Sequence, residues 1–371
     1  MMKRYFLLLF SAFLLLTVSA YADGLDCLVH TGSMELKYAT QFSVDYYTDG
    51  YKLICIAGDS RYLVIPEDGA VPADLPPDVQ LIQQPLSRTY LAATSSMCLF
   101  DALGRLDAIG FSGTREDGWS MPNVQAAMRG GRIFFAGKYS EPDYELLTVS
   151  GCPLAIESLM IGHASDVREK LQELGIAVIV DHSSLEPHPL GRTEWIKLYA
   201  ALLNEENRAF AIFDEQASIL ESIDTTPIGT TVAFFYVSST GRVVARKSND
   251  YISRMIALAG GEYVFRDLGD PGKATSTETL TMETFYATAR DADCIIYNNT
   301  IGGEVYSLDD LLQKNELFTE FRAVQTGNVW CTDENMYQQT TDLGVMIGSF
   351  HAVITGEADG MDQVPYLYRL K

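Results

Sequence analysis

Apolar and polar positions follow two different rhythms along this chain. Between 36 and 66 they alternate with a period of two. Phe42, Val44 and Tyr46 are separated by polar residues, Asp49-Gly50 marks a turn, and Tyr51 to Ala57 and Arg61 to Ile65 read as short strands. Pro66 to Pro77 is rich in proline and turn residues and reads as a linker. From about 86, short apolar runs alternate with stretches of helical period. Tyr90 to Thr94 is a strand, Met97 to Leu103 a helix closed by Gly104, and Leu106 to Phe111 the next strand. Leu154 to Ile156 begins another strand. A helix from Ser165 carries Val167, Leu171 and Leu174 on one face and ends at Gly175, and Ile176 to Val180 follows as a buried strand.

Residues 193–222 contain no strand. Thr193 reads as the cap of a helix bearing Ile196, Tyr199, Leu202 and Leu203, and a second amphipathic stretch, Ala209 to Ile219, follows Asn204 to Asn207. The strand–helix rhythm then restarts. Thr231 to Val237 and Cys294 to Tyr297 read as strands, and Asp250 to Ala259, Thr281 to Arg290 and Gly344 to Thr355 as helices. This order predicts an α/β protein of two Rossmann-like lobes, 86–192 and 223–371. A long backbone helix at 193–222 joins them, and a β-rich extension with its linker, 23–85, precedes them. Two lobes leave a cleft, and ligands favour such domain interfaces.

The N-terminus adds a destination. Lys3 and Arg4 precede an apolar run from Tyr5 to Val18, and Ala20-Tyr21-Ala22 is a small-x-small cleavage site, so 1–22 reads as a signal peptide. The run falls short of the roughly 20 residues of a spanning helix. Cys27 follows Gly24-Leu25-Asp26, where a lipid-attachment site wants an apolar residue three before the cysteine and a small one just before it. The expectation is therefore an exported chain, periplasmic or otherwise extracytoplasmic, soluble after cleavage and without a lipid-attachment site. Removing 1–22 takes away two basic residues and no acidic one, moving the net charge from −22 to −24. Such a charge repels phosphate and argues against nucleic acid. Cys27, Cys55, Cys98, Cys152, Cys294 and Cys331 form no C-x-x-C pair, which disfavours zinc; the compartment permits disulfides, whose pairing spacing does not reveal.

Motifs of catalysis fail in detail. Gly131 to Tyr139 resembles a phosphate loop but has one residue too many between its glycines, and Tyr139 replaces the magnesium-holding hydroxyl. Gly110-Phe111-Ser112-Gly113 lacks the spacing of a hydrolase nucleophile elbow. His163, His182 and His188, with Asp181 and Glu186 nearby, leave open an extracytoplasmic metal-dependent hydrolase.

Three segments carry a resemblance. Tyr90 to Leu103 followed by Leu106 to Gly110, then Leu185 to Ile196, then Ile256-Ala-Leu-Ala-Gly-Gly261 resemble, in this order, the periplasmic substrate-binding proteins of ABC importers of the iron-chelate and vitamin B12 type. The resemblance covers roughly 86–355. It implies a monomeric carrier, not an enzyme, with no cofactor of its own, that delivers a small metal chelate (ferric siderophore, haem or a corrinoid such as cobalamin) to a permease dimer with cytoplasmic ATPase subunits. It also implies one docking acid per lobe, at Glu145 and Glu283. In open α/β lobes the ligand sits beyond the carboxyl ends of the strands. The candidates there are Ser95, Ser96, Ser112, Trp119, Met160, His163, His188 and Arg192 from the first lobe, and Tyr236, Lys247, Tyr251 and Asn298 from the second. Arg192 and Lys247 would meet an anionic chelate, Trp119 and Tyr251 its apolar faces, and His163 or Met160 could ligate its metal. The other reading is a lobe pair serving a sensor or adhesin.

Overall fold

The computed structural model describes residues 24–58, 60–269, 276–303 and 305–371; the expected signal peptide, 1–22, lies outside them. The extension is a five-stranded sheet in the order His30–Ser33, Phe42–Tyr47, Lys52–Ile56, Ser60–Ile65, Val79–Gln83. The first four strands pair antiparallel and the last joins in parallel. Asp49 and Gly50 take positive φ of 60° and 85°, the left-handed conformation that a tight hairpin between the second and third strands requires. Phe42, Val44, Ile54, Tyr62 and Val64 face the main core, where the Phe42 and Trp195 rings lie 5.2 Å apart. Leu53, Leu63, Ile65 and Val79 form a smaller cluster. The linker therefore ends in a strand, Val79–Gln83, that the proline-rich composition before it concealed.

The first lobe holds a parallel sheet in the order Ala177–Asp181, Leu154–Ser158, Thr89–Leu91, Ile109–Ser112, Phe134–Phe135. The expected strand at 106 starts later, because Leu106–Ala108 forms a 3-10 turn first. In the second lobe Thr231–Val237, Cys294–Tyr297 and Val329–Thr332 run parallel at the centre. Val243–Arg246 and Thr277–Leu280 flank them on one side, and Leu367–Arg369 and Gln363–Val364 on the other, all antiparallel to their neighbours. In each lobe the connections leave the central strands in opposite directions, which opens a crevice at their carboxyl ends. In the first lobe this point lies between Thr89–Leu91 and Leu154–Ser158. In the second it lies between Thr231–Val237 and Cys294–Tyr297.

The connector is made of two helices, Pro189–Leu203 and Glu206–Ser222, packed against each other. All but one residue of the first, Arg192, are buried, and the charges this encloses, Glu194 and Lys197, pair with each other at 2.7 Å. It breaks at Asn204, left-handed at φ 58°, and Lys52 of the extension fills the break. Its Nζ donates to the Ala201 carbonyl at 2.7 Å, Asn204 Oδ1 at 2.7 Å and Glu206 Oε1 at 2.6 Å. The helix begins four residues before Thr193. Pro189 suits the first helical position, and His188 Nδ1 accepts the Leu190 N–H at 3.2 Å. Thr193 is buried inside the helix and donates to the Thr340 carbonyl of the second lobe at 2.8 Å.

The extension clasps this connector and the edge of the first lobe. Glu194 accepts the backbone N–H groups of Lys37, Tyr38 and Ala39 at 2.7–2.8 Å, and Glu186 accepts those of Thr40 and Gln41 and the Trp195 indole. Tyr62 donates to the Val178 carbonyl and Gln80 accepts its N–H, which satisfies polar groups of the outer strand Ala177–Asp181. Cys55, Cys98, Cys152, Cys294 and Cys331 stand as thiols without disulfides.

Candidate ligand groove

The lobes touch through the polar segment after the last central strand. The 3-10 turn Met336–Gln338 packs on Thr94–Ser96, and Thr340–Asp342 packs on the helix Met97–Ala102. Gln338 bridges directly: its Oε1 accepts from Ser120 N and Ser120 Oγ, each at 2.8 Å, and its Nε2 donates to the Gly118 carbonyl at 2.8 Å. Beside this bridge lies a groove of about 400 Å³, lined by Ser120 of the first lobe and Asn299, Tyr306, Asp333, Glu334, Asn335 and Tyr368 of the second. A larger hollow of about 850 Å³ separates the extension from the first lobe near His182, but it lies away from the facing strand ends. The groove at Asp333 is where a two-lobed sheet protein should take its ligand.

The expected residues divide by placement. Ser95 and Ser96 follow the Thr89–Leu91 strand at the switch point. Ser96 is wholly buried and hydrogen-bonds Asp181 at 2.5 Å and Tyr199 at 3.1 Å, so its hydroxyl is spent inside the lobe. Ser112 and Trp119 are buried too, the indole donating to Ser112 Oγ at 3.2 Å to brace the loop that carries Ser120. Met160 and His163 are exposed on the turn Leu159–His163, at the carboxyl end of Leu154–Ser158. His188 stacks on Tyr38 with ring centroids 4.0 Å apart, and burial pushes its imidazole down to about 4.

In the second lobe, the expected cation Lys247 is wholly buried, with Nζ 3.7 Å from Glu278. The Arg192 guanidinium lies 4.0 Å from the Tyr251 ring centroid. Neither cation lines the groove. Tyr236 and Asn298 sit at the carboxyl ends of their strands. Asn298 is wholly buried, donates to the Tyr337 hydroxyl at 2.9 Å, and has no donor for its Oδ1 among the described residues. Tyr337 also accepts from Arg246, which pairs with Asp250 at 3.5 Å. Burial pushes the Asp250 carboxyl up against the opposing pull of Arg246. This network props the interlobe turn from beneath.

Sequence reasoning missed Ser120, Tyr306, Asp333, Glu334, Asn335, Gln338 and Tyr368. A usable signal was present. Val329-Trp-Cys-Thr332 is a buried run of strand length followed at once by a polar stretch from Asp333 to Asp342, the mark of a loop at a strand's carboxyl end.

No family model matches the chain. Two proteins of Methanocaldococcus jannaschii, each named an uncharacterized lipoprotein, are 27% identical to it. One match spans 82% of this chain and 77% of the relative, the other 91% and 87%. Their names overturn the expectation that export leaves a chain without a lipid-attachment site: a rule applied to the residues before Cys27 does not outweigh two lipoprotein relatives of similar length. Among solved structures, a periplasmic binding protein from Veillonella parvula matches with a TM-score of 0.59 at 16% identity, over 74% of this chain and 93% of that one. A periplasmic haem-binding protein of Vibrio cholerae matches at 0.57 and 18%, over 74% and 100%. A protein of an Fe3+-hydroxamate ABC transport system from Saccharomonospora viridis matches at 0.55 and 18%, over 73% and 94%. At these identities the likeness speaks for architecture, and the fold of this chain is that of the two-lobed periplasmic binding proteins.

Proposed function

We propose that this chain is a substrate-binding protein that captures a bulky metal chelate of the siderophore, haem or corrinoid class outside the cytoplasmic membrane and hands it to an ABC importer. The observation that carries the reading is the groove at the facing strand ends, whose lining includes the largely exposed Tyr306 ring. Met160 in the turn Leu159–His163 and Ile301 in the short helix Asn299–Gly302, each about half exposed, also follow central strands. Large apolar groups in water at strand ends are what a ligand with broad apolar faces would cover. A carrier held near its permease by a lipid fits the names of the two lipoprotein relatives, and Cys27, exposed and ahead of the first strand, is the residue to which we assign that attachment.

Thermal unfolding against a panel of ferric siderophores, haem and cobalamin tests the reading. A cognate ligand at 100 times its Kd is expected to stabilise the chain by about 2.7 kcal/mol. No shift with any member of the panel would discard the carrier reading.

Docking follows from the same reading. Glu145 and Glu283 are exposed in the first turns of the helices Tyr144–Val149 and Met282–Ala289, one on each lobe, where the helix dipole favours a carboxylate. Complementary arginines on a permease would orient the encounter. The paired variant Glu145→Lys, Glu283→Lys is expected to abolish uptake while ligand affinity stays unchanged; full uptake by that variant removes the assignment.

A further inference from the structure

The groove's chemistry narrows the ligand, taking the carrier reading as its basis. A donor and acceptor inventory is one-sided. Tyr306 donates its hydroxyl to Glu334 Oε1 at 2.6 Å, and Tyr368 donates to the Val305 carbonyl at 2.7 Å. Asn299 donates its amide to the Tyr368 hydroxyl at 3.0 Å and accepts the Val305 N–H on its Oδ1. Ser120 gives its hydroxyl to Gln338. The three hydroxyls and one Asn299 amide hydrogen are already used, and the donors that remain, on Asn299 and Asn335, are neutral amides. The charged acceptors are open. Among the described residues the Asp333 carboxylate has no ion-pair partner, Glu334 meets one phenol and no cation, and Asn335 Oδ1 is buried without a donor. Among the described residues no lysine, arginine or histidine lines the groove.

Charge points the same way. Asp333 is half-buried beside Glu334, and burial together with that neighbouring carboxylate pushes its carboxyl up. Two adjacent carboxylates lacking a basic partner are stabilised by an incoming positive charge and destabilised by a negative one. The Tyr306 ring, 60% exposed, adds an aromatic face on which a cation can rest. The nearby guanidinium groups of Arg192 and Arg246 do not reverse this balance. The first stacks on Tyr251, the second is taken by Tyr337 and Asp250, and neither reaches the lining.

We infer that the groove recognises a positively charged nitrogen on its ligand, an ammonium or guanidinium arm, so that the delivered chelate is a cationic one rather than a polycarboxylate or catecholate anion. Asp333 and Glu334 bind the charge, Asn335 takes one of its hydrogens, and Tyr306 covers its apolar flank. Each partner offers what the groove lacks, and an anionic chelate would bring more acceptors to a surface already rich in them.

Titration calorimetry of the whole exported chain decides the matter with three ferric probes: ferrioxamine B, which carries a free ammonium; its N-acetylated derivative, which does not; and ferric citrate. The ammonium-bearing probe is expected to bind at least tenfold more tightly than the acetylated one, and ferric citrate more weakly still. Asp333→Asn with Glu334→Gln, both isosteric and on a solvent-accessible surface, is expected to reduce the tenfold preference to less than threefold while the acetylated probe binds as before. Equal binding of the two hydroxamates, or tighter binding of ferric citrate, overturns the inference and leaves the carrier reading standing. Binding of none of these, nor of haem or cobalamin, overturns both.

Discussion

Replacing Glu194 by alanine is expected to lower the stability of this chain by about 3–5 kcal/mol, the cost of leaving a buried charge uncompensated. The side chain is wholly buried and holds four donors: the N–H groups of Lys37, Tyr38 and Ala39 and, at 2.7 Å, the ammonium of Lys197. Alanine strands the three amides and leaves the Lys197 ammonium with only the Glu35 carbonyl, at 3.2 Å, and no counter-charge. Lys197 is itself buried, with its Nζ 4.2 and 4.3 Å from the ring centroids of Phe210 and Phe213, so its charge cannot turn to water without disturbing the connector. The three amides belong to the turn that leads the extension from its first strand to its second. Hydrogen exchange should therefore rise first at 37–41, ahead of any change in the two lobes. Pairing Glu194→Leu with Lys197→Met removes the orphaned charge and should recover part of the loss, leaving mainly the cost of the three amides. Urea unfolding of the three variants measures these differences. A Glu194→Ala variant within 1 kcal/mol of the parent would show that the clasp is not what binds the extension to the connector.

That clasp also shows where reading the sequence stops. Thr231–Val237 and Cys294–Tyr297 were legible because each is a short, nearly continuous apolar run between turn residues, and both are buried as their composition demands, whereas Val329–Thr332 and the antiparallel strands flanking the second lobe's centre were not read. The helix starts at Asp250 and Thr281 were legible for a local reason, since each accepts an N–H two or three residues ahead, whereas Thr193, read as a cap, lies inside its helix. The extension was legible as strands and not as a partner. What fixes it to the lobes are contacts across 98 to 157 residues of chain, such as Gln80 to Val178 and Lys37 to Glu194, and no local pattern announces them. Glu186 shows the same limit. Beside Asp181 and the histidines it invited a metal, and in space it turns to the N–H groups of Thr40 and Gln41. The groove was legible only as a place. The rule of strand ends led to Met160 and Asn298, but none of the expected ligand residues lines it, and Lys247, expected to meet an anionic chelate, is buried in the fold. The polar run after Val329–Thr332 escaped because hydrophobic periodicity is silent on a segment whose role is to line a surface.

Glu157 carries a penalty that grows with pH. It lies in the Leu154–Ser158 strand, next to the outer strand of the first lobe's sheet, on the same face as Ala155, which packs into the cluster of Tyr90, Leu147, Leu171 and Val178. The residue is wholly buried, and neither carboxylate oxygen has a hydrogen-bond partner among the described residues. Burial pushes its pKa up to about 8, from an ordinary value of 4.5. The folded chain thus keeps a proton that the unfolded chain releases. Below pH 4.5 both states are protonated and the group is neutral to stability. As pH rises from 4.5 to 8 the unfolded state gains by ionising and the folded state does not, so stability falls, and above 8 the loss levels off. At 1.36 kcal/mol per pH unit the loss is about 3 kcal/mol at pH 7 and about 5 kcal/mol at the plateau. Glu157→Gln removes the titration and leaves the shape. It should match the parent near pH 4.5 and exceed it increasingly up to pH 8, with Glu157→Leu, which also removes the unpartnered polar atoms, more stable still. Stability curves for parent and Glu157→Gln that run parallel from pH 5 to 8 would mean that the carboxyl finds a proton-independent partner when the chain folds in water.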